Sequence, residues 1–184
     1  METITQDVAV QTFAIDPTHS RVGFTVRHLG FSKVRGSFEQ FEGIVEMVPG
    51  DLSTLRTEAT IQAATITTNE AKRDAHLRSA DFFETETFPT LSFRSTGVRD
   101  VRGDAFTLVG ELTMHGVTRT VELDAVYLGE GKDPWGGTRV AFEAVTTVNR
   151  KDYGLNWNVA LETGGFLVSE NVEITLEIQA VQQA

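Results

Sequence analysis

The sequence predicts an all-β fold: an extended antiparallel up-and-down barrel of eight strands, with one short helix at the barrel mouth. Three observations predict it. Eight separate runs alternate apolar and polar residues at the period of a half-buried strand. Most connections between them are short clusters of turn-forming residues. One stretch, residues 67–83, breaks the alternation with dense charge and contains no Gly or Pro, so it reads as helical. At 184 residues and 40% hydrophobic content the chain fits one domain, 1–184, with a core from about 13 to 181.

The first run follows the turn cluster Asp16-Pro17-Thr18-His19 and puts Val22, Phe24, Val26 and His28 on one face. In the second, residues 34–48, Phe38 and Phe41 are out of phase by one, which predicts a β-bulge near Glu39-Gln40. The third, residues 55–65, aligns Ala59, Ile61 and Ala63. Residues 70–78 follow as helix, with Asn69 as the expected N-cap. The fourth strand points Leu91, Phe93, Ser95 and Gly97 inward, and the fifth Phe106, Leu108, Gly110, Leu112 and Met114. His115-Gly116 turns into the sixth, with Val121, Leu123, Ala125 and Tyr127 inward; residues 129–137 read as a Gly-rich loop. Val140, Phe142 and Ala144 mark the seventh strand, and Val172, Ile174, Leu176 and Ile178 the eighth.

Up-and-down connectivity sends the connections at 28–33, 67–89, 114–118 and 149–170 to one rim. Both long connections are among them, and long loops on a rigid barrel are where binding sites concentrate. Small inward residues such as Gly110, Ala125 and Ala144, set among Phe and Leu, fit either a hollow pore or the taper of a filled barrel, and on side-chain size alone the packed core is the default.

Net charge is −10, and residues 1–92 and 93–184 each carry 8 basic and 13 acidic residues, so no basic half is set aside for nucleic acid or anionic lipid. There is no run of 18 apolar residues to span a membrane, and no cysteine for disulfide or thiolate chemistry. Residues 1–12 lack the basic and apolar parts of a signal peptide, so a cytoplasmic location is expected, or a periplasmic or secreted one if the chain is already processed.

Catalytic signatures such as Gly-x-Ser-x-Gly or a phosphate-binding Gly-rich loop are absent, so neither a catalytic residue nor a cofactor is expected. Carboxylates such as Glu122, Asp124, Glu173 and Glu177 fall on outward faces. His28, His76 and His115 share the predicted rim, which makes a metal-binding or enzymatic protein the alternative, although they lack metal-ligand spacing and surface histidines are the ordinary explanation. Arg73, Asp74 and His76 fit either a polar head group or a helix with its own ion pairs, Asp74 with Arg78 and Glu70 with Arg73. Phe82, Phe83 and Trp157 either line the pore mouth or pin the long connections onto the barrel.

Four motifs bring a resemblance. Asp16-Pro17-Thr18-His19-Ser20 with Phe24-x-Val26-x-His28-Leu29-Gly30, then Lys72 through Phe83, then Gly110-Glu111-Leu112-Thr113-Met114-His115-Gly116-Val117-Thr118, and Asn149-Arg150-Lys151-Asp152-Tyr153-Gly154, closely resemble the YceI-like polyisoprenoid-binding family over about residues 13–178. The resemblance implies a lipocalin-like barrel whose pore takes the tail of an isoprenoid lipid or quinone, and its motifs carry over no catalytic activity. It tips the choice from packed core to pore, lined by Phe24, Val26, Ile61, Phe93, Leu108, Leu112, Leu123, Phe142, Ile174 and Leu176. Arg73, Asp74, His76, Asn149 and Arg150 would then meet the head group, beside Phe82, Phe83 and Trp157, with the helix as a lid. An exposed strand face or a long loop leaves room for a homodimer.

Overall fold

The computed structural model describes residues 9–184; residues 1–8, on which the signal-peptide expectation partly rests, lie outside it. Among the described residues there are eleven strands: β1 (Gln11–Ile15), β2 (Arg21–His28), β3 (Ser32–Phe38), β4 (Phe41–Val48), β5 (Asp51–Gln62), β6 (Ile66–Thr67), β7 (Thr90–Arg102), β8 (Ala105–Met114), β9 (Val117–Lys132), β10 (Thr138–Asn149) and β11 (Asn171–Gln182). The helix α1 (Ala71–Arg78) lies between β6 and β7.

These strands make eight staves of one closed antiparallel barrel, because three staves are interrupted. β1 and β2 run one after the other along β11, while β1 also pairs with β4 and β2 with β3. β5 and β6 continue one another across a 3₁₀ turn, and β7 to β11 complete the cylinder. The pairing of Phe13 with Gln182 and Ile15 with Ala180 closes it. Closure removes the free edges that would recruit other chains.

The interruptions correct two sequence expectations. Asp16-Pro17-Thr18-His19 does not precede the first strand: Pro17–His19 form a 3₁₀ turn inside the first stave, capped by the Asp16 carboxylate accepting from Thr18 N at 2.9 Å. β1 was too short to register as a run. The irregularity at Glu39-Gln40 is also no bulge in one strand but a corner, where the chain leaves β2 and β6 for β1 and β5. The Thr65 hydroxyl accepts from the Glu39 and Gln40 amides at 3.2 and 3.1 Å, so neither is orphaned. Phe38 and Phe41 can both be buried because the corner lies between them.

Three further corrections are local. The register shift between Ser95 and Gly97 turns Gly97 out of the barrel, and Val98 packs against the core instead. The Gly-rich segment continues β9 to Lys132, so the turn is confined to residues 133–137, where the Asp133 carboxylate accepts from the amides of Trp135 and Gly137. At α1 the cap is Glu70, accepting from Lys72 N and Arg73 N at 3.3 and 2.7 Å, while Asn69 takes a left-handed φ of 60° that turns the chain into the helix.

Two glycines let large rings lie flat inside the wall. A Cβ at Gly36 would collide with the Phe24 ring, and one at Gly110 with the Phe93 ring. Each Phe therefore covers a neighbouring strand rather than filling the barrel axis.

Candidate functional site

The inward faces do not meet. They enclose a cavity of about 570 Å³ that runs from Phe106 and Phe142 up to α1 and the 149–170 connection. This lies in the usual range of roughly 300–1,000 Å³ for small-molecule pockets. All ten residues expected on the pore wall line it. Phe41, Val45, Leu55 and Leu91 line it as well. The alternation in the sequence changes phase at Glu39-Gln40, and no inward residues are assigned beyond it; restarting the alternation at Phe41 places both Phe41 and Val45 inward. Deep in the barrel, Phe142 contacts Phe106 and Tyr127 with ring centroids at 6.4 and 5.2 Å. The wall hydroxyls of Thr57 and Thr146 donate to the carbonyls of Ile44 and Glu122 at 2.7 Å, so neither requires a ligand partner.

The mouth is organised by three rings. His76 of α1 meets Trp157 edge-on at 4.7 Å and Phe82 at 5.1 Å, while Phe82 and Trp157 are 5.3 Å apart. The imidazole is oriented by Nε2, 2.8 Å from Asp81 Oδ2. The trio joins α1 to the 149–170 connection across the opening, and all three residues border the cavity. Phe83 points along another wall, edge-on to Phe38 at 5.8 Å. Pinning loops and lining the mouth are therefore one role for these side chains, not two.

Arg73 and Arg150 also border the cavity, each tethered. Arg73 donates from Nε to the Thr68 hydroxyl at 2.7 Å and from a terminal nitrogen to the Thr68 carbonyl at 3.0 Å. Arg150 is only 4% exposed and donates to the carbonyls of Ser169, Leu155, Trp157 and Val168 at 2.6–3.4 Å. Burial pushes its guanidinium pKa down and Glu170 partly restores it; the group stays charged, as arginine does. It fixes the path of the connection while holding a cation near the opening.

Two residues expected at the head group are elsewhere. Asp74 is buried and turned back from the cavity, accepting from the Thr68 amide and hydroxyl at 2.8 and 2.6 Å. It anchors α1 to the preceding strand, and the expected Asp74–Arg78 ion pair does not form. Asn149 caps the next 3₁₀ turn by accepting from Lys151 N at 3.0 Å and does not line the cavity. A carboxylate or carboxamide near a helix start has an ordinary use as a cap, and spacing alone cannot separate that use from ligand binding.

The rim histidines stay apart. His28 lines the cavity beside Val168; His115 packs on Phe88 at 4.8 Å, with Nδ1 2.9 Å from the Tyr153 carbonyl. Among the described residues no three His, Cys, Asp or Glu side chains are grouped as metal ligands. No helix of the described residues is long and apolar enough to cross a membrane.

This architecture has relatives. A UPF0312 protein of Staphylococcus aureus is 41% identical over 162 residues, spanning 88% of this chain and 92% of that one. A UPF0312 protein of Azotobacter vinelandii is 35% identical over 165 residues, spanning 90% and 83%. Among solved structures, Burkholderia cenocepacia BcnA superposes with a TM-score of 0.77 at 20% identity, over 90% of this chain and 99% of that one. A polyisoprenoid binding domain from Saccharophagus degradans gives 0.67 at 15% identity, over 93% and 98%. The YceI-like domain model matches residues 13–180, and the chain belongs to that family.

Proposed function

We propose that this protein binds, and by binding carries or stores, a long-chain apolar lipid of the polyisoprenoid or isoprenoid-quinone type, without catalysing a reaction. The observation that carries the reading is the 570 Å³ cavity, walled by Phe, Leu, Ile and Val and opening beside α1. Burial of hydrocarbon in such a wall stabilises a complex by about 25 cal/mol per Å² of apolar surface, before the costs of association. The force is non-directional, so chain length would be selected loosely. Arg73, Arg150 and His76 meet the head group, while Asp74 and Asn149 hold the backbone that presents them. The polyisoprenoid binding domain from Saccharophagus degradans, which shares the fold, supports a ligand of this class.

Native mass spectrometry and organic extraction of the purified protein test the reading. A co-purifying isoprenoid, or stoichiometric uptake of an added one from detergent, is expected. A barrel that is empty on isolation and takes up no added isoprenoid overturns it.

A further inference from the structure

Charge counted by halves of the chain conceals one segment. Between Asp16 and Glu39 there is no acidic residue and there are four basic ones, Arg21, Arg27, Lys33 and Arg35, in a chain of net charge −10. The β2–β3 hairpin concentrates three of them. Arg27 lies directly across from Lys33, and Arg35 across from Thr25, which puts three exposed cations on one outer face. Among the described residues none of the three forms an ion pair. Like charges facing each other across a ladder weaken it, so the arrangement is unfavourable unless an anion completes it.

The tip of the same hairpin is apolar and uncovered. Leu29 is 38% and Phe31 74% exposed. The 149–170 connection is hydrogen-bonded to it, Leu29 N donating to the Leu167 carbonyl and Ser169 N to the Arg27 carbonyl at 2.9 and 3.0 Å. That connection adds exposed Val159 and Phe166, with Lys151 Nζ 5.8 Å from the centre of the Phe166 ring. Apolar side chains projecting beyond a band of cations match the layering of a bilayer, in which anionic head groups lie above hydrocarbon. The inner face of the hairpin, through Val26, His28 and Val34, is cavity wall.

We propose that the β2–β3 tip, with Phe166 beside it, docks onto an anionic lipid bilayer and brings the cavity mouth to the membrane. Phe31 and Phe166 enter the head-group boundary, and Lys33, Arg35 and Arg27 meet the anionic head groups above them. An apolar tail then passes between bilayer and barrel without crossing water. The proposal rests on the lipid-carrier reading, but Phe31, Lys33, Arg35 and Phe166 do not line the cavity, so it is tested separately.

The experiment is cosedimentation of the full chain with vesicles of phosphatidylcholine alone or mixed with phosphatidylglycerol. Binding is expected only to the mixed vesicles, and salt should weaken it. Lys33→Gln with Arg35→Gln should lower partition about twenty- to thirtyfold, at about fivefold for each cation. Phe31→Ser with Phe166→Ser should lower it independently, and both variants should still take up isoprenoid from detergent. Failure of the parent protein to bind mixed vesicles, or binding unchanged in both variants, overturns the proposal. So does concentration-dependent self-association in sedimentation velocity that both variants abolish, since that assigns the patch to a second copy. Loss of isoprenoid uptake by the parent protein from detergent would instead count against the carrier reading, and vesicle binding would remain measurable.

Discussion

Arg139, at the end of the barrel away from α1, is held between two carboxylates, Asp16 at 2.8 Å and Asp133 at 3.1 Å, and also donates to Gln179. Arg150, at the mouth, has only backbone carbonyls as hydrogen-bond acceptors. The first arrangement cancels charge: after the Thr18 hydroxyl for Asp16 and the Gly137 amide for Asp133, Arg139 helps to lower both carboxyl pKa values, its own is raised, and the first stave is tied to the turn before β10. The second satisfies hydrogen bonds without cancelling charge. Arg27, Lys72, Arg73 and Arg150 outnumber Glu70 and Glu143 along the cavity, so its lining carries a net positive charge that the chain as a whole lacks. One end is fastened shut, and the other is held in shape but left with charge to offer.

The largest effect should come from the mouth. Arg150→Met leaves carbonyls in the 149–170 connection without a donor and should cost at least about 3 kcal/mol. Chemical denaturation would measure it, and limited proteolysis should cut first within that connection. A loss below about 1 kcal/mol would mean that Arg150 does not hold the loop. Leu108→Trp probes the space between the two ends. An indole filling the cavity would displace on the order of 100 Å² of buried ligand surface, about 2.5 kcal/mol or fifty- to hundredfold in Kd. Stability should change little, whereas overpacking a filled core would cost about 1–3 kcal/mol. Isoprenoid titration and thermal melts, read together, distinguish the cases.

Asp16→Asn tests the fastened end, where pH supplies the control. The folded state holds the Asp16 carboxyl well below the usual carboxylate range, first through the Thr18 hydroxyl and then through Arg139. A depressed pKa means that the stabilisation is present above the unfolded value, about 4, and is lost as pH falls below it. The variant should be about 1.5–2 kcal/mol less stable at pH 7. That gap should shrink steadily as denaturation is repeated from pH 4 downward. A gap that stays constant to pH 3 would show that the ionised carboxylate is not its source.

The contrast between the ends also explains what could be read before the structure. The barrel was legible because alternation reports directly on which residues leave water; that rule turns the ten wall residues inward, while the choice of a pore over a packed core came from the family resemblance. Where a stave is interrupted the rule fails, since a phase reset at Glu39-Gln40 looks like a bulge and a five-residue β1 looks like loop. The rim was legible only as a neighbourhood. Topology gathered Arg73, Asp74, His76, Asn149 and Arg150 correctly, yet two of the five turn away from the cavity. Their direction is set by hydrogen bonds a few residues away, and no periodicity encodes those. The basic hairpin escapes a count by halves because its cations are averaged with the acids of β4, β5 and the 67–89 connection, which fall in the same half of the sequence.

The smallest effect concerns the three rings that close the mouth. Trp157→Ala removes contacts to His76 and Phe82 at 4.7 and 5.3 Å but leaves the wall below intact. Aromatic pairs of this geometry contribute about 0.5–1.5 kcal/mol beyond the area they bury, and changes within one binding site appear mainly in the rate of release. Transfer of a fluorescent isoprenoid from the variant to acceptor vesicles should therefore be faster by about three- to tenfold, with the on-rate nearly unchanged. His76→Ala should speed release to a similar degree, and the double variant should be hardly faster than either single one, because each substitution opens the same contact. Additive effects would mean that the rings hold the lipid separately. Unchanged release in Trp157→Ala would mean that they only pin the connection, leaving Arg73 and Arg150 as the part of the mouth that the ligand meets.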